Sequence, residues 1–220
     1  MVIIAGEYHT DSISVRASVP VVGSIVDYLH GPADPAAVIH ALSMPGIKVV
    51  SRTITEGGYR LDPSTGECHL GESEAAADLA RQHPQTTFGV LTAALRARRD
   101  AGAGPFTVLS CDNLPDNGAA ARAATLGFAE AVDPQLARWI KRNVTFRSSM
   151  VDRIAPAVDA SSRHTLNTLT GLPDQVPVFS EAYRQWVVQD EFCNGRPAWE
   201  AWASRCARMY QRLSPSSSDC

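Results

Sequence analysis

Two kinds of stretch alternate along this chain: short β-branched runs that stop in polar loops, and longer segments whose apolar residues recur every three or four positions. Residues 47–54 (IKVVSRTI) predict a strand that ends in Thr55, Glu56, Gly57, Gly58 and Tyr59. Residues 106–110 (FTVLS) predict a second, which runs into Cys111, Asp112 and Asn113 and is closed by Pro115 and Gly118. Residues 144–146 predict a third, leading to Ser148, Ser149, Met150, Val151, Asp152 and Arg153. Helical spacing fills the gaps. Asp34 followed by Pro35 starts one helix and Pro45-Gly46 stops it. Further helices are predicted over 72–83, over 88–100 and over 134–141, and another over 119–131 with Asn117 as its N-cap. Within 88–100 the pattern turns Leu91, Ala94 and Leu95 toward a sheet and Arg96, Arg98 and Arg99 toward water. Strands alternating with helices predict an α/β fold with a parallel sheet. The carboxyl ends of such strands meet ligands, so Asp112 and Asn113 are the first candidates for contact with a substrate or cofactor.

The remaining stretches carry weaker patterns. Residues 2–5 form a short apolar run that suits a strand or a frayed end, residues 10–29, with the apolar run 19–26, suit extended structure near a sheet edge, and 62–71 reads as a loop. From Pro156 to Pro177 the composition turns to Ser, Thr, Pro and Gly, which predicts a connection. Val178-Phe179 reads as a resumed strand and residues 183–188 as apolar-aromatic. Residues 202–220, ending in SPSSSDC, read as disordered. Asp152 and Arg153 between apolar neighbours suit either a partly buried, paired carboxylate or a structural Asp–Arg contact.

Composition narrows the chemistry. The 220 residues carry a net charge of −3, with 20 Lys and Arg scattered among 23 Asp and Glu, which argues against nucleic acid held by a basic field. No apolar run is long enough for a bilayer, and the first residues lack a basic, then apolar, leader pattern, so the expectation is a cytoplasmic protein without a membrane partner. Five cysteines without a CxxC pair and six dispersed histidines predict neither a disulfide framework nor a metal site. A GxSxG elbow and a GxxxxGK[ST] loop are both missing.

Four motifs in order go beyond pattern: TITEGGY (53–59), LSCDNLPDNG (109–118), MVDRIAP (150–156) and FSEAYRQWVVQDEFCNGRPAWE (179–200). Together they resemble the mannitol dehydrogenase family of long-chain polyol dehydrogenases, over roughly residues 12 to 200. The resemblance implies an α/β fold with an incomplete Rossmann-like, mostly parallel sheet and flanking helices, plus the start of a helical C-terminal domain. It divides the chain into a partial dinucleotide-binding domain over 1–155, a connection and the start of the substrate domain over 156–200, and an aberrant or disordered tail over 201–220. It implies NAD as cofactor and metal-free hydride transfer between a polyol such as mannitol and a ketose such as fructose.

Carried over by motif, Asn113 donates its amide to the oxygen that gains negative charge, and Asp152 lies beside the nicotinamide and relays the proton. Thr55, Glu56, Asn113 and Val151 line the cofactor cleft. A fructuronate reductase acting on a sugar acid is the alternative within the family, and a non-catalytic α/β fragment the alternative outside it. Two family features have no counterpart in this sequence. The glycine-rich pyrophosphate turn is one, since the glycines at 102 and 104 precede a strand instead of following it. The other is the catalytic lysine pattern K-x-R-x-L-N-x-x-H, which neither Lys48 nor Lys141 begins. The expectation is a fragment of enzymatic ancestry with very low or absent turnover.

Overall fold

A computed structural model describes residues 25–54, 56–59, 77–78, 84–181, 185–199 and 211–213. Its described strands form one sheet in the order β1 (Val49–Arg52), β2 (Thr107–Ser110), β3 (Phe146–Asp152), β4 (Gln185–Gln189) and β5 (Gln211–Leu213). The first three run parallel, with Arg52 opposite Ser110 and Ser110 opposite Ser148. β4 turns antiparallel, pairing Gln185 with Asp152 and Val188 with Ser149, and β5 runs parallel to β4.

Helices cover one face of this sheet. α1 (Pro35–Ser43) starts as its sequence predicts, with Asp34 accepting the Ala37 N–H at 2.9 Å. α2 (Thr87–Asp100) is capped by Thr86, which accepts from Gly89. α3 (Asn117–Val132) and α4 (Pro134–Asn143) follow one another across Asp133, the N-cap of α4. Phe88, Leu91 and Leu95 of α2, Ala121, Ala124 and Phe128 of α3, and Leu136 and Ile140 of α4 form one core with Phe106, Val108 and Phe146 of the sheet. Each Phe or Leu buried there contributes about 1.5–3 kcal/mol, so this layer is the main driving force for the fold. Small residues on α3 let it lie close to the sheet. A Cβ at Gly118 would sit 2.6 Å from the Ser148 nitrogen and 2.7 Å from the Arg147 carbonyl carbon, a distance no side chain tolerates.

The opposite face is closed differently. Side chains alternate along β2, so Thr107 and Leu109 point away from the helices. The segment after β4 folds back under them, and the Cys193 N–H donates to the Thr107 and Thr145 hydroxyls at 3.1 and 3.3 Å. Arg147 holds the same segment through the Glu191 carbonyl and, at 2.6 Å, the Glu191 carboxylate. Trp186, Phe192 and Trp199 pack their rings together around it, at centroid distances of 4.8 and 5.5 Å.

Five sequence expectations change here. Arg98 does not face water: it is fully buried at the end of α2. The third strand continues to Asp152, because Ser149–Asp152 find their partner in β4, far along the chain. A helix, α5 (Ala160–Thr170), lies inside the stretch read as a connection, capped by Asp159 and ended by Gly171 at φ 70°. Val178-Phe179 forms no strand beyond an isolated bridge at Val178. The sheet also runs past the boundary drawn at 155, since β4 and β5 belong to it. Most of the predicted helix over 72–83 lies outside the described residues.

Candidate functional site

The parallel register of β1, β2 and β3 brings their carboxyl ends to one edge of the sheet. Asn113 follows the end of β2 and is exposed. Val151 and Asp152 end β3, the valine 55% exposed and the aspartate also open to solvent. Glu56 opens the 3-10 turn Glu56–Tyr59 beyond β1. Thr55 lies outside the described residues. Asn113, Glu56, Val151 and Asp152 therefore come from strand ends on the same side of the fold.

The Asp152–Arg153 pairing is absent. Arg153 donates from Nε to the Glu181 carbonyl at 3.0 Å, and among the described residues nothing pairs with the Asp152 carboxylate. Glu181 in turn accepts the Ile154 N–H at 2.6 Å, so the strand end is pinned by its neighbours while Asp152 stays uncommitted.

Asp112 and Asn113, adjacent in sequence, have opposite fates, which corrects the expectation that both meet a ligand. Asp112 is 5% exposed. Its Oδ1 accepts the Ile54 N–H and its Oδ2 accepts the Tyr59 hydroxyl. The Arg52 guanidinium stands 4.0 Å from Oδ2, and it donates to the Ser110 hydroxyl at 3.2 Å. Arg52 is clamped between the rings of Tyr59 and Phe88, each centroid 4.7 Å from its guanidinium carbon. Among the described residues its Nε and Nη1 have no hydrogen-bond partner. Burial pulls the arginine below its ordinary range, and burial together with the bond to Asp112 pushes the Tyr59 phenol up to about 12. Tyr59 is thus a neutral donor across the physiological range. Sequence showed an arginine ending a β-branched strand, but no spacing rule links position 52 to 59, 88 and 112.

Asn117 corrects a second expectation. Asp116, in the left-handed region at φ 48°, is the N-cap of α3 and makes no side-chain cap bond. Asn117 is the first helical residue, and its buried amide reaches sideways. Its Nδ2 donates to the Asp112 and Ser149 carbonyls, each at 2.8 Å, and its Oδ1 accepts the Ser149 N–H at 3.3 Å. One side chain thereby stitches the β2 loop to β3. Ser149 adds a bond to the Ser110 carbonyl at 2.7 Å. Cys111 is partly buried beside it, and burial pushes its thiol up, which makes it a poor nucleophile.

The site therefore offers a neutral amide and a carboxylate, both uncommitted, on a rigid frame. That pair can donate to a developing alkoxide and carry a proton; it contains no activated nucleophile. Among the described residues there is no group of three His, Cys, Asp or Glu side chains able to hold a metal ion, and no helix long and apolar enough to cross a membrane. A hollow of about 210 Å³ between Arg98, Arg99, Trp139 and Asn143 opens at the other end of the sheet, where both arginines are committed to protein partners.

Comparison with known proteins adds to this geometry. The family model described as the mannitol dehydrogenase Rossmann domain matches residues 7–201. The chain is 50% identical over 188 residues to the polyol:NADP oxidoreductase of Gluconobacter oxydans (strain 621H), covering 85% of this chain and 39% of that protein. It is 51% identical over 180 residues to the mannitol 2-dehydrogenase of Cereibacter sphaeroides, covering 81% and 37%. The solved Pseudomonas fluorescens mannitol 2-dehydrogenase, a ternary complex with NAD and D-mannitol, superposes with a TM-score of 0.85 at 41% identity, over 97% of this chain and 42% of that one. The chain thus spans about two fifths of the length of the relatives it matches. With nearly all of its sequence inside that family model and its strands laid out as in a solved relative, the chain belongs to the mannitol dehydrogenase family and carries its Rossmann domain.

Proposed function

We propose that this chain is the nucleotide-binding part of an NAD-dependent polyol dehydrogenase of the mannitol 2-dehydrogenase type, which interconverts mannitol and fructose. One observation carries the reading: exposed, uncommitted Asn113 and Asp152 end neighbouring parallel strands, in a chain 41% identical to a protein solved with NAD and D-mannitol. NAD, when bound, accepts the hydride from the carbinol carbon. The protein groups do the rest. Asn113 donates its amide to the alcohol oxygen as charge develops there, and Asp152 relays the proton once a base has taken it from the hydroxyl. Thr55, Glu56 and Val151 line the cofactor, the valine giving an apolar surface to a flat ring. The residues fit that group, because a nicotinamide needs both an apolar wall and nearby hydrogen-bonding groups. In this reading residues 1–155 form the nucleotide part together with β4 and β5 of the same sheet, and the stretch after 155 begins the approach to a substrate domain.

The proton acceptor is a separate matter. The two lysines of the chain, Lys48 and Lys141, are exposed; one leads into the start of β1 and the other lies in the last turn before β3, both at the end of the sheet away from Asn113. A positioned base contributes about 10²- to 10⁴-fold in rate, so binding without appreciable turnover is the behaviour proposed for the chain alone. Titration of the purified chain with NADH, followed by nicotinamide fluorescence, tests this. Micromolar affinity supports the reading, and no binding at millimolar cofactor sinks it.

A further inference from the structure

We propose that Asp112 is the positioning residue of this cleft, and that it sets the turn beyond β1 against the loop carrying Asn113. The inference rests on the dinucleotide reading above and assigns to a buried residue the work of holding the exposed ones in register.

The Ile54 N–H bonded to Oδ1 of Asp112 stands at the entry of the turn, and the Tyr59 hydroxyl bonded to Oδ2 stands at its exit. The described turn Glu56–Tyr59 is therefore flanked by two bonds to one carboxylate. The carbonyl of the same residue accepts the Asn117 amide, which also bonds to Ser149 of β3. All three strand ends meet at Asp112, and Asn113 is the next residue along the chain.

Arg52 makes this more than a turn brace. A buried guanidinium with two unmet nitrogens is costly, and ordinary structure avoids it. Here the two aromatic rings and the carboxylate 4.0 Å away keep it in place, so the cluster fixes a charge pair at the tip where a simple turn would use neutral groups. The identity of the residue matters for the same reason. A carboxylate accepts at both oxygens, whereas an asparagine of equal size accepts at only one, meets the Tyr59 oxygen only by reversing that bond, and leaves the buried Arg52 without an anion.

The test uses the full chain and three variants. Asp112→Asn is expected to weaken NADH binding about tenfold, the effect of one lost bond to a charged group, and to speed amide exchange at Ile54 and Ser149 together. Tyr59→Phe removes one of the bonds and keeps the carboxylate, so about a threefold loss of affinity is expected, and it serves if the first variant folds poorly. Ile140→Val, in the core beneath α4, lowers stability but is expected to leave NADH affinity and exchange at the strand ends unchanged. The proposal is overturned if Asp112→Asn and Ile140→Val lose affinity only in step with their stability, or if exchange rises at Ile54 alone. Should the parent chain bind no NADH, joint acceleration at Ile54 and Ser149 still supports the positioning role, while the dinucleotide reading falls separately.

Discussion

Arg98 and Arg52 are buried in the same layer of the molecule, at opposite ends of the sheet, and they are treated in opposite ways. Every nitrogen of Arg98 meets backbone oxygen: Nε the Gly104 carbonyl at 2.6 Å, Nη1 those of Leu42 and Met44 at 3.2 and 2.5 Å, and Nη2 those of Ala103 and Pro105 at 3.4 Å. Its charge is dissolved in carbonyl dipoles, and it ties together the two loops that enter β1 and β2. Arg52, at the exit of β1, has one satisfied nitrogen, two aromatic faces and a carboxylate. The entry end of the sheet is built for stability alone. The exit end accepts unmet donors, and the uncommitted groups Asn113 and Asp152 lie there. At Arg52 unmet polarity lies beside available chemistry, as it does where a site is maintained at a cost in stability.

The sharpest way to break this contrast is to remove each guanidinium. Arg98→Met should strand five carbonyls and cost at least about 3 kcal/mol, measured by urea unfolding, because hydrogen bonds to charged groups are worth about 1.5–3 kcal/mol each. Arg52→Met should cost about 1 kcal/mol, since it also removes two unmet donors. Equal losses would end the distinction. Next in size, Gly118→Ala should cost about 1–3 kcal/mol, because the new methyl meets strand backbone that has nowhere to go. An unchanged melting temperature would mean that α3 can slide on β3.

A smaller effect sharpens the exit end through pH. The Tyr59 phenol titrates near 12 in the fold and about 10 in an unfolded chain. Its raised value means that its contribution is complete below pH about 10 and is lost as pH climbs toward 12. Tyr59→Phe should flatten the alkaline fall in stability across that window. The smallest effect belongs to the helix layer: Arg99 bonds to Asp133 at 2.8 Å and holds its carboxyl below the usual range. That contribution is present above pH about 4 and disappears as pH falls through the depressed value. Arg99→Ala should shift the acid unfolding midpoint upward, read by circular dichroism.

Local signals in the chain located what local physics controls. The Asp34–Pro35 start of α1 and the strand at 107–110 are set by a cap and a β-branched run and stand where the pattern put them, and apolar spacing placed the helix after the strand though not its cap. The misses share a different cause. Arg98 sits among charged neighbours at a helix end, which reads as solvated; its acceptors come from the end of α1 and from the loop at 103–105, which no periodicity announces. Ser149–Asp152 is a polar run that becomes strand only through β4. α5 had its signals, Asp159 at one end and Gly171 at the other, hidden by Ser and Thr composition between them. At the candidate site, motifs point to Asn113 and Asp152, whereas the network of Arg52, Tyr59, Asp112 and Asn117 joins residues up to 65 apart and exists only in three dimensions.

β3 changes partners halfway along its length. Residues Phe146–Ser148 pair with β2, and Ser149–Asp152 pair with β4. An excised version that stopped at the apparent domain border near 155 would leave Asp152 on a dangling arm, its support removed with residues 185–189. Anyone grafting this cleft onto another scaffold, or trimming the chain for crystallography, has to carry the sequence through Gln189 to keep that aspartate in place.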